Sequence, residues 1–454
     1  MTIMRLKTLL LTLMFTFFAA WAMSQTVKVD GEIRPRAEFR NGYKQLPPDG
    51  ANAAFAISQR TRFNAFYGSE VFKAYISMQD IRVWGDVSQL DMGAANKFGI
   101  HQAWGEYFFN EKFSLKAGRQ ELVYDDSRIL GNVGWAQQGR AHDLGLLKYE
   151  SEKFKAHLGF AFNQEKEVLF GTDYINLKNY KAMQFLWLHT KIGNAGLSFL
   201  FLNNGMEQLS KAGVDSLEIS PEYKVAYTQT IGARFTPTLG PVKLAAAAYY
   251  QMGDLDNFDT KLSAMYFALA GTVKSSENSK VTLGFEYLSG TSAKDKIEDP
   301  KAMKSFTPFY GTNHKFNGHM DYFYVGNHGN NNVGLIDIYA TFNLKIKKWG
   351  LFLTPHYFMA AADVYKELPV TTTTKSDFQE DLFENLDKGL GIEIDFGVSY
   401  VPQKNMMFKL GLSQMIGTET LGYVQGYAMT DDYNKNGTWA YLMFVFKPNF
   451  YTSK

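Results

Sequence analysis

The chain contains no cysteine. Disulfides, thiolate metal sites and lipid attachment to a cysteine behind a leader are therefore excluded. Such a composition is compatible with an oxidising envelope compartment. After the first 24 residues the chain also lacks any apolar run long enough for a membrane helix, which needs about 20 consecutive apolar residues. Charge of one sign is missing too: 47 Lys and Arg stand against 45 Asp and Glu over 454 residues. That balance says nothing about partners, and only the placement of charge can; no nucleic-acid partner is expected. There is no phosphate-binding Gly-rich loop, no HExxH zinc helix and no EF-hand loop. The reading is of a protein without a catalytic residue, without a cofactor and without enzyme activity.

What is present begins with a leader. Arg5 and Lys7 precede an apolar stretch from Leu9 to Ala20, and Ala20-Trp21-Ala22 and Ala22-Met23-Ser24 offer small-residue cleavage sites. These features predict a cleaved signal peptide over residues 1–24 and a single mature domain over 25–454. The apolar stretch is short for a retained anchor.

Directly behind it, residues 27–40 alternate without a slip. Lys28, Asp30, Glu32, Arg34, Arg36, Glu38 and Arg40 share one face of an extended chain, and Val27, Val29, Gly31, Ile33, Pro35, Ala37 and Phe39 share the other. Periodic segments follow near 56–67, 71–84, 100–110, 113–124, 140–150, 154–163, 180–191, 195–203, 225–236, 241–252, 261–273, 279–289, 333–345, 349–360, 389–401, 405–415 and 438–447. With the first, that makes eighteen, each about long enough to cross a bilayer when tilted. Ile336, Ile338, Ala340, Phe342 and Leu344 alternate cleanly with Asp337, Tyr339, Thr341 and Asn343. Segments 180–191 and 261–273 are apolar on both faces. Polar parity switches near Met78–Asp80 and Gly118–Arg119, which predicts a β-bulge at each.

The links between segments alternate long and short throughout. Every short one has five residues or fewer, with turn chemistry such as Asn110-Glu111-Lys112. Short turns at one end and long loops at the other are the asymmetry of an outer-membrane barrel. The 37 Phe and 26 Tyr suit its aromatic girdles and outward belt. The fold class expected is all-β: a transmembrane antiparallel β-barrel of the outer membrane with about 18 strands. Its surroundings would be outer-membrane lipid and lipopolysaccharide, and its insertion would need the barrel-assembly machinery. A periplasmic β-sandwich would need fewer strands per domain and a domain boundary.

Ten arginines follow the leader against thirty-five lysines, and nine of the ten lie between residues 34 and 140. Arg34, Arg36, Arg60, Arg62, Arg82, Arg119, Arg140 and Arg234 are the candidate pore-lining, substrate-binding residues. An arginine fork donates two parallel hydrogen bonds to a carboxylate, so a one-sided cluster in a lumen would draw anions through. The competing reading pairs these side chains with Asp30, Glu32, Glu38, Asp80, Glu106 and Glu121 and has them hold the wall together. His314, His319 and Asp321 lack a specific metal spacing. Asp125-Asp126 and Asp431-Asp432 read as loop carboxylates.

Five segments carry a family likeness: Gln59-Arg60-Thr61-Arg62-Phe63, Gln79-Asp80-Ile81-Arg82-Val83-Trp84-Gly85, Leu115-Lys116-Ala117-Gly118-Arg119-Gln120, Leu130-Gly131-Asn132-Val133-Gly134-Trp135 and Tyr310-Gly311-Thr312-Asn313-His314-Lys315. In them the chain resembles the bacterial alginate export family of outer-membrane barrels. The resemblance implies 18 strands, a basic pore for a polyuronate chain, and Arg60, Arg62, Arg82, Arg119 and Arg140 as pore arginines. Alginate exporters carry a long periplasmic loop over the pore mouth, which the short links here cannot supply. The function expected is a passive channel for anionic sugars or polysaccharide, with a general diffusion porin or a barrel-anchored adhesin as the other readings.

Overall fold

The computed structural model describes residues 25–87, 98–172, 174, 179–211, 222–256, 259–324, 332–367, 383–427 and 432–453. The leader and Asp431 lie outside them. Eighteen long strands form one closed antiparallel barrel. They are β1 (Thr26–Asn41), β2 (Ala54–Gly68), β3 (Phe72–Val83), β4 (Phe98–Phe108), β5 (Phe113–Gln120) and β6 (His142–Glu150). Next come β7 (Phe154–Phe162), β8 (Ala182–Ile192), β9 (Ala195–Lys211), β10 (Glu222–Thr236), β11 (Val242–Asp254) and β12 (Lys261–Lys274). The last six are β13 (Ser279–Leu288), β14 (Leu335–Ile346), β15 (Trp349–Met359), β16 (Gly389–Gln403), β17 (Met406–Gly417) and β18 (Asn436–Phe446). Each strand pairs with the next in sequence. The barrel closes where β1 pairs with β18, Phe39 opposite Ala440, and with the terminal segment Asn449–Thr452.

All eighteen periodic segments of the sequence are strands. Alternation fixes their faces: on β14 Asp337 is 0% exposed and Ile338 48%, and on β16 Asp395 is 0% and Ile394 40%. Outward side chains are a belt of Phe, Leu, Ile and Val left open to the surroundings, which a water-facing surface would not tolerate on this scale. Inward side chains include the charged face of β1, with Glu32, Arg34, Arg36 and Glu38 buried.

Two long links fold into the lumen, 121–141 after β5 and, after β13, the described residues 289–324. The inward residues of β8, Met183, Phe185 and Trp187, are buried, and the last two pack against Tyr124 of the first loop. On β12 Tyr266 stacks on Phe306 of the second loop. That is why these two strands are apolar on both faces.

The expected bulges need correction. The β3–β4 ladder shifts between Ser77 and Met78, and the extra residue is His101 on β4; the β2–β3 ladder runs through without a break. At Gly118–Arg119 neither neighbouring ladder shifts. The change of polar parity there has another cause: the polar residues Asp80, Arg82 and Arg119 point outward.

Candidate functional site

The β1 and β2 arginines converge on one stretch of the first inward loop. Arg34 donates through Nη1 to the carbonyl of Gly134 (2.7 Å), through Nη2 to those of Trp135 (3.1 Å) and Ala136 (3.0 Å), and through Nε to Gln137 Oε1 (3.1 Å). Arg36 donates to the Trp135 carbonyl (2.8 Å) and lies 4.1 Å over that indole ring, while its Nε holds Glu38 (2.9 Å). Arg60 bonds Glu32 Oε1 through Nε (2.8 Å) and Nη2 (2.5 Å) and reaches the Gln137 carbonyl through Nη1 (3.3 Å). Arg62 donates to Gln79 (3.0 Å) and to the Gln138 carbonyl (3.4 Å). Planar guanidinium forks thus cap the orphan carbonyls of a loop that makes no sheet, and the buried charges are offset by Glu32 and Glu38. Glu121, at the base of the loop, accepts from Asn132 (2.8 Å) and His101 (2.7 Å). Burial alone would push its pKa up, but those hydrogen bonds and the nearby Arg62 charge outweigh this and hold its carboxyl below the usual range.

The two inward loops cross and lock together. Leu130 and Tyr310 form a parallel bridge; Gly131 N donates to the Tyr310 carbonyl (2.8 Å), and Thr312 N to that of Ser127 (2.9 Å). Arg140 donates to the Gly311 carbonyl (3.0 Å). Both glycines are needed: a Cβ on Gly131 would stand 2.3 Å from Thr312 Oγ1, and one on Gly311 2.2 Å from the Arg128 carbonyl. Two of the five segments that carried the family likeness therefore meet in space. Arg128, 1% exposed, anchors the crossing to the wall through Glu286 (2.9 Å) and to Asn317 (2.9 Å).

The sequence candidates divide accordingly. Arg34, Arg36, Arg60 and Arg62 face the lumen and hold the loop. Arg234 also faces inward, bonded to Asp126 (3.0 Å). Arg140 belongs to the loop, since β6 begins at His142. Arg82 and Arg119 are corrected. Cross-strand partners share a face, and Arg82 is opposite Gln59 and Arg119 opposite Asp143, whereas Arg60 and Arg62 take the other parity. Both point out of the barrel, paired with Asp80 (2.6 Å) and Asp143 (2.7 Å). His314 binds Asp321 (2.8 Å) and stacks on Trp135, and among the described residues no group of His, Asp and Glu could hold a metal ion. Asp125 accepts from the Trp187 indole (3.2 Å).

Open volume lies across the lumen from the clamped loop. One cavity of about 540 Å³ is bounded by Ala245, Ala247, Ala268 and Ala270 of β11 and β12, by Arg234, and by Lys315 and His319 of the second loop. Another of about 670 Å³ opens at the short-turn end, and Asn343 and Phe352 line both. Small alanine side chains on one wall leave the room that the aromatic side chains under the loops take up elsewhere. The second cavity is lined by Lys274, Lys280, Lys345, Lys347, Lys348 and Lys409, with Glu277 the carboxylate among its lining residues. Attention to arginine passed these lysines over. Their signal was parity: Lys274, Lys280, Lys345 and Lys409 fall in step with the lumen residues Thr272, Thr282, Asn343 and Ser399.

No family model matches the chain, and no curated protein matches it, so the alginate export resemblance has no support beyond the residues quoted. The fold, however, has likenesses among solved structures. OccK9 (OpdG) of Pseudomonas aeruginosa superposes with a TM-score of 0.57 at 11% identity, covering 93% of this chain and 98% of that one. OccAB4 of Acinetobacter baumannii gives 0.57 at 13% identity, covering 93% and 98%. OccK2 (OpdF) of P. aeruginosa, solved in complex with glucuronate, gives 0.54 at 10%, covering 94% and 98%. The fold defined here is that of the outer-membrane porins.

Proposed function

We propose that this protein is a passive, non-enzymatic outer-membrane channel for small anionic solutes of the sugar-acid class. The outward apolar belt suits lipid, and the short turns then lie in the periplasm with the long links outside. One observation carries the anion preference: the open part of the lumen is bordered by lysines, while the buried carboxylates are engaged with arginines, histidines, loop amides and, at Glu106, with Lys148. Fixed positive charge beside a narrow aqueous path raises the local concentration of anions without binding them too tightly to leave. The arginines of β1 and β2 enter as positioning residues that shape the path by holding the loop. Small uronates fit this reading better than a threaded polyuronate, because two interlocked loops cross the lumen. The glucuronate bound in one porin of the same fold agrees with that substrate class.

The test is reversal potential in planar bilayers under a salt gradient. Anion preference is expected, weakening as salt rises because exposed charge is screened over about 10 Å at 0.1 M. A cation-selective channel would overturn the reading.

A further inference from the structure

The lysine-lined cavity at the short-turn end contains a feature that packing does not explain. Lys274 and Lys280 are direct cross-strand partners on β12 and β13. Such partners have Cβ atoms about 5 Å apart, and like charges there repel. The pairs above them are neutral, with Thr272 and Thr282 sharing a hydroxyl hydrogen bond of 2.8 Å. Along β13 to β17 the same level continues with Lys345 on β14 and Lys409 on β17, all bordering one cavity of about 670 Å³. Among the described residues none of these four lysines has an ion-pair partner. Every lumen-facing arginine, by contrast, is bonded to a carboxylate, a side-chain amide or a loop carbonyl. At this mouth, then, four point charges stand without a counter-ion, while the forks of the lumen arginines are spent on structure.

We infer that this vestibule is a binding site for compact multivalent anions of the phosphoryl class, reached from the short-turn side. The chemistry favours phosphoryl groups over a lone carboxylate for two reasons. Lysine meets a phosphate as a point charge and does not supply the planar two-pronged contact that suits carboxylate. Four ammonium groups bordering one cavity also call for more than one negative charge to relieve their repulsion. The inference rests on the anion-channel reading and adds a second, distinct step to it: solutes are drawn along the alanine wall, and phosphorylated ones are held at the short-turn mouth.

The probes are pyrophosphate and a hexose monophosphate, with glucuronate for comparison, each added to one side of a bilayer containing the full-length channel. Pyrophosphate should block the current at lower concentration than glucuronate, and from the short-turn side first. The hexose monophosphate should fall with pyrophosphate if a sugar phosphate is the natural occupant, and with glucuronate if inorganic phosphate chains are. The double change Lys280→Gln with Lys345→Gln should raise the pyrophosphate blocking concentration by at least about tenfold, the loss of one or two charge-assisted contacts. Lys280→Arg with Lys345→Arg should keep the anion preference and narrow the gap between pyrophosphate and glucuronate. Lys301→Gln, at an exposed pair with Asp259 on the other end, is the control and should change nothing. Equal block by pyrophosphate and glucuronate, or block untouched by the double Gln change in a channel that remains anion-selective, would overturn the vestibule site. A cation-selective wild type would instead remove the channel reading beneath it.

Discussion

At the scale of single residues, parity decides almost everything. Ile338 and Thr341 are three positions apart on β14, yet one is open to the surroundings and the other meets Thr354 Oγ1 at 3.1 Å in the lumen. Ile338→Arg should cost roughly 2–4 kcal/mol, a charge set into lipid near mid-membrane, while Thr341→Arg should be nearly silent. Urea unfolding in lipid vesicles would measure both, and equal penalties would mean the faces are wrongly assigned. Parity was legible in the sequence wherever hydrophobic and polar residues alternate, as on β1 and β16. It failed at Arg82 and Arg119. Their charge suggested the lumen, but an outward ion pair near the long-link end is also allowed, and only the ladder separates the two.

Elements were legible as strands and illegible as loops. Period-two alternation marks a strand because one face must be apolar, so the eighteen segments stood out. Long links carry no period, and nothing in residues 121–141 or 289–324 says that they turn inward. The indirect signal was on β8 and β12, whose inward faces are apolar because a loop covers them. The crossing of these loops makes a sharp expectation. Gly311→Ala would drive a methyl against the Arg128 carbonyl, a backbone atom that cannot swing aside. The bridge between Leu130 and Tyr310 should part, and single-channel conductance should rise while the barrel still folds. Unchanged conductance in a folded variant would show that the crossing does not limit the path. The sequence did name Gly131 and Gly311 within separate segments, but their partnership across 180 positions of chain is a property of the folded lumen alone.

For the whole molecule, a backbone paired from β1 through β18 and back again should behave as one unit. In detergent the protein is expected to migrate as a compact, heat-modifiable species; recovery as a well-folded soluble protein without detergent would contradict the membrane reading. Strand number and closure were within reach of the sequence, because an even run of crossings leaves both ends at the same rim. Where the free volume lies was not, since it depends on which side chains the two loops cover. The seam between β1 and β18 has a consequence in time. The first strand to leave the ribosome must wait for the last before its outer edge finds a partner, and until then both rims of the sheet carry unsatisfied amides that a hydrocarbon interior penalises by several kcal/mol each. A chain cut short before Asn436 has no stable halfway form to fall back on. Completion is therefore read off the final strand, and insertion of this protein should be an event of whole chains only.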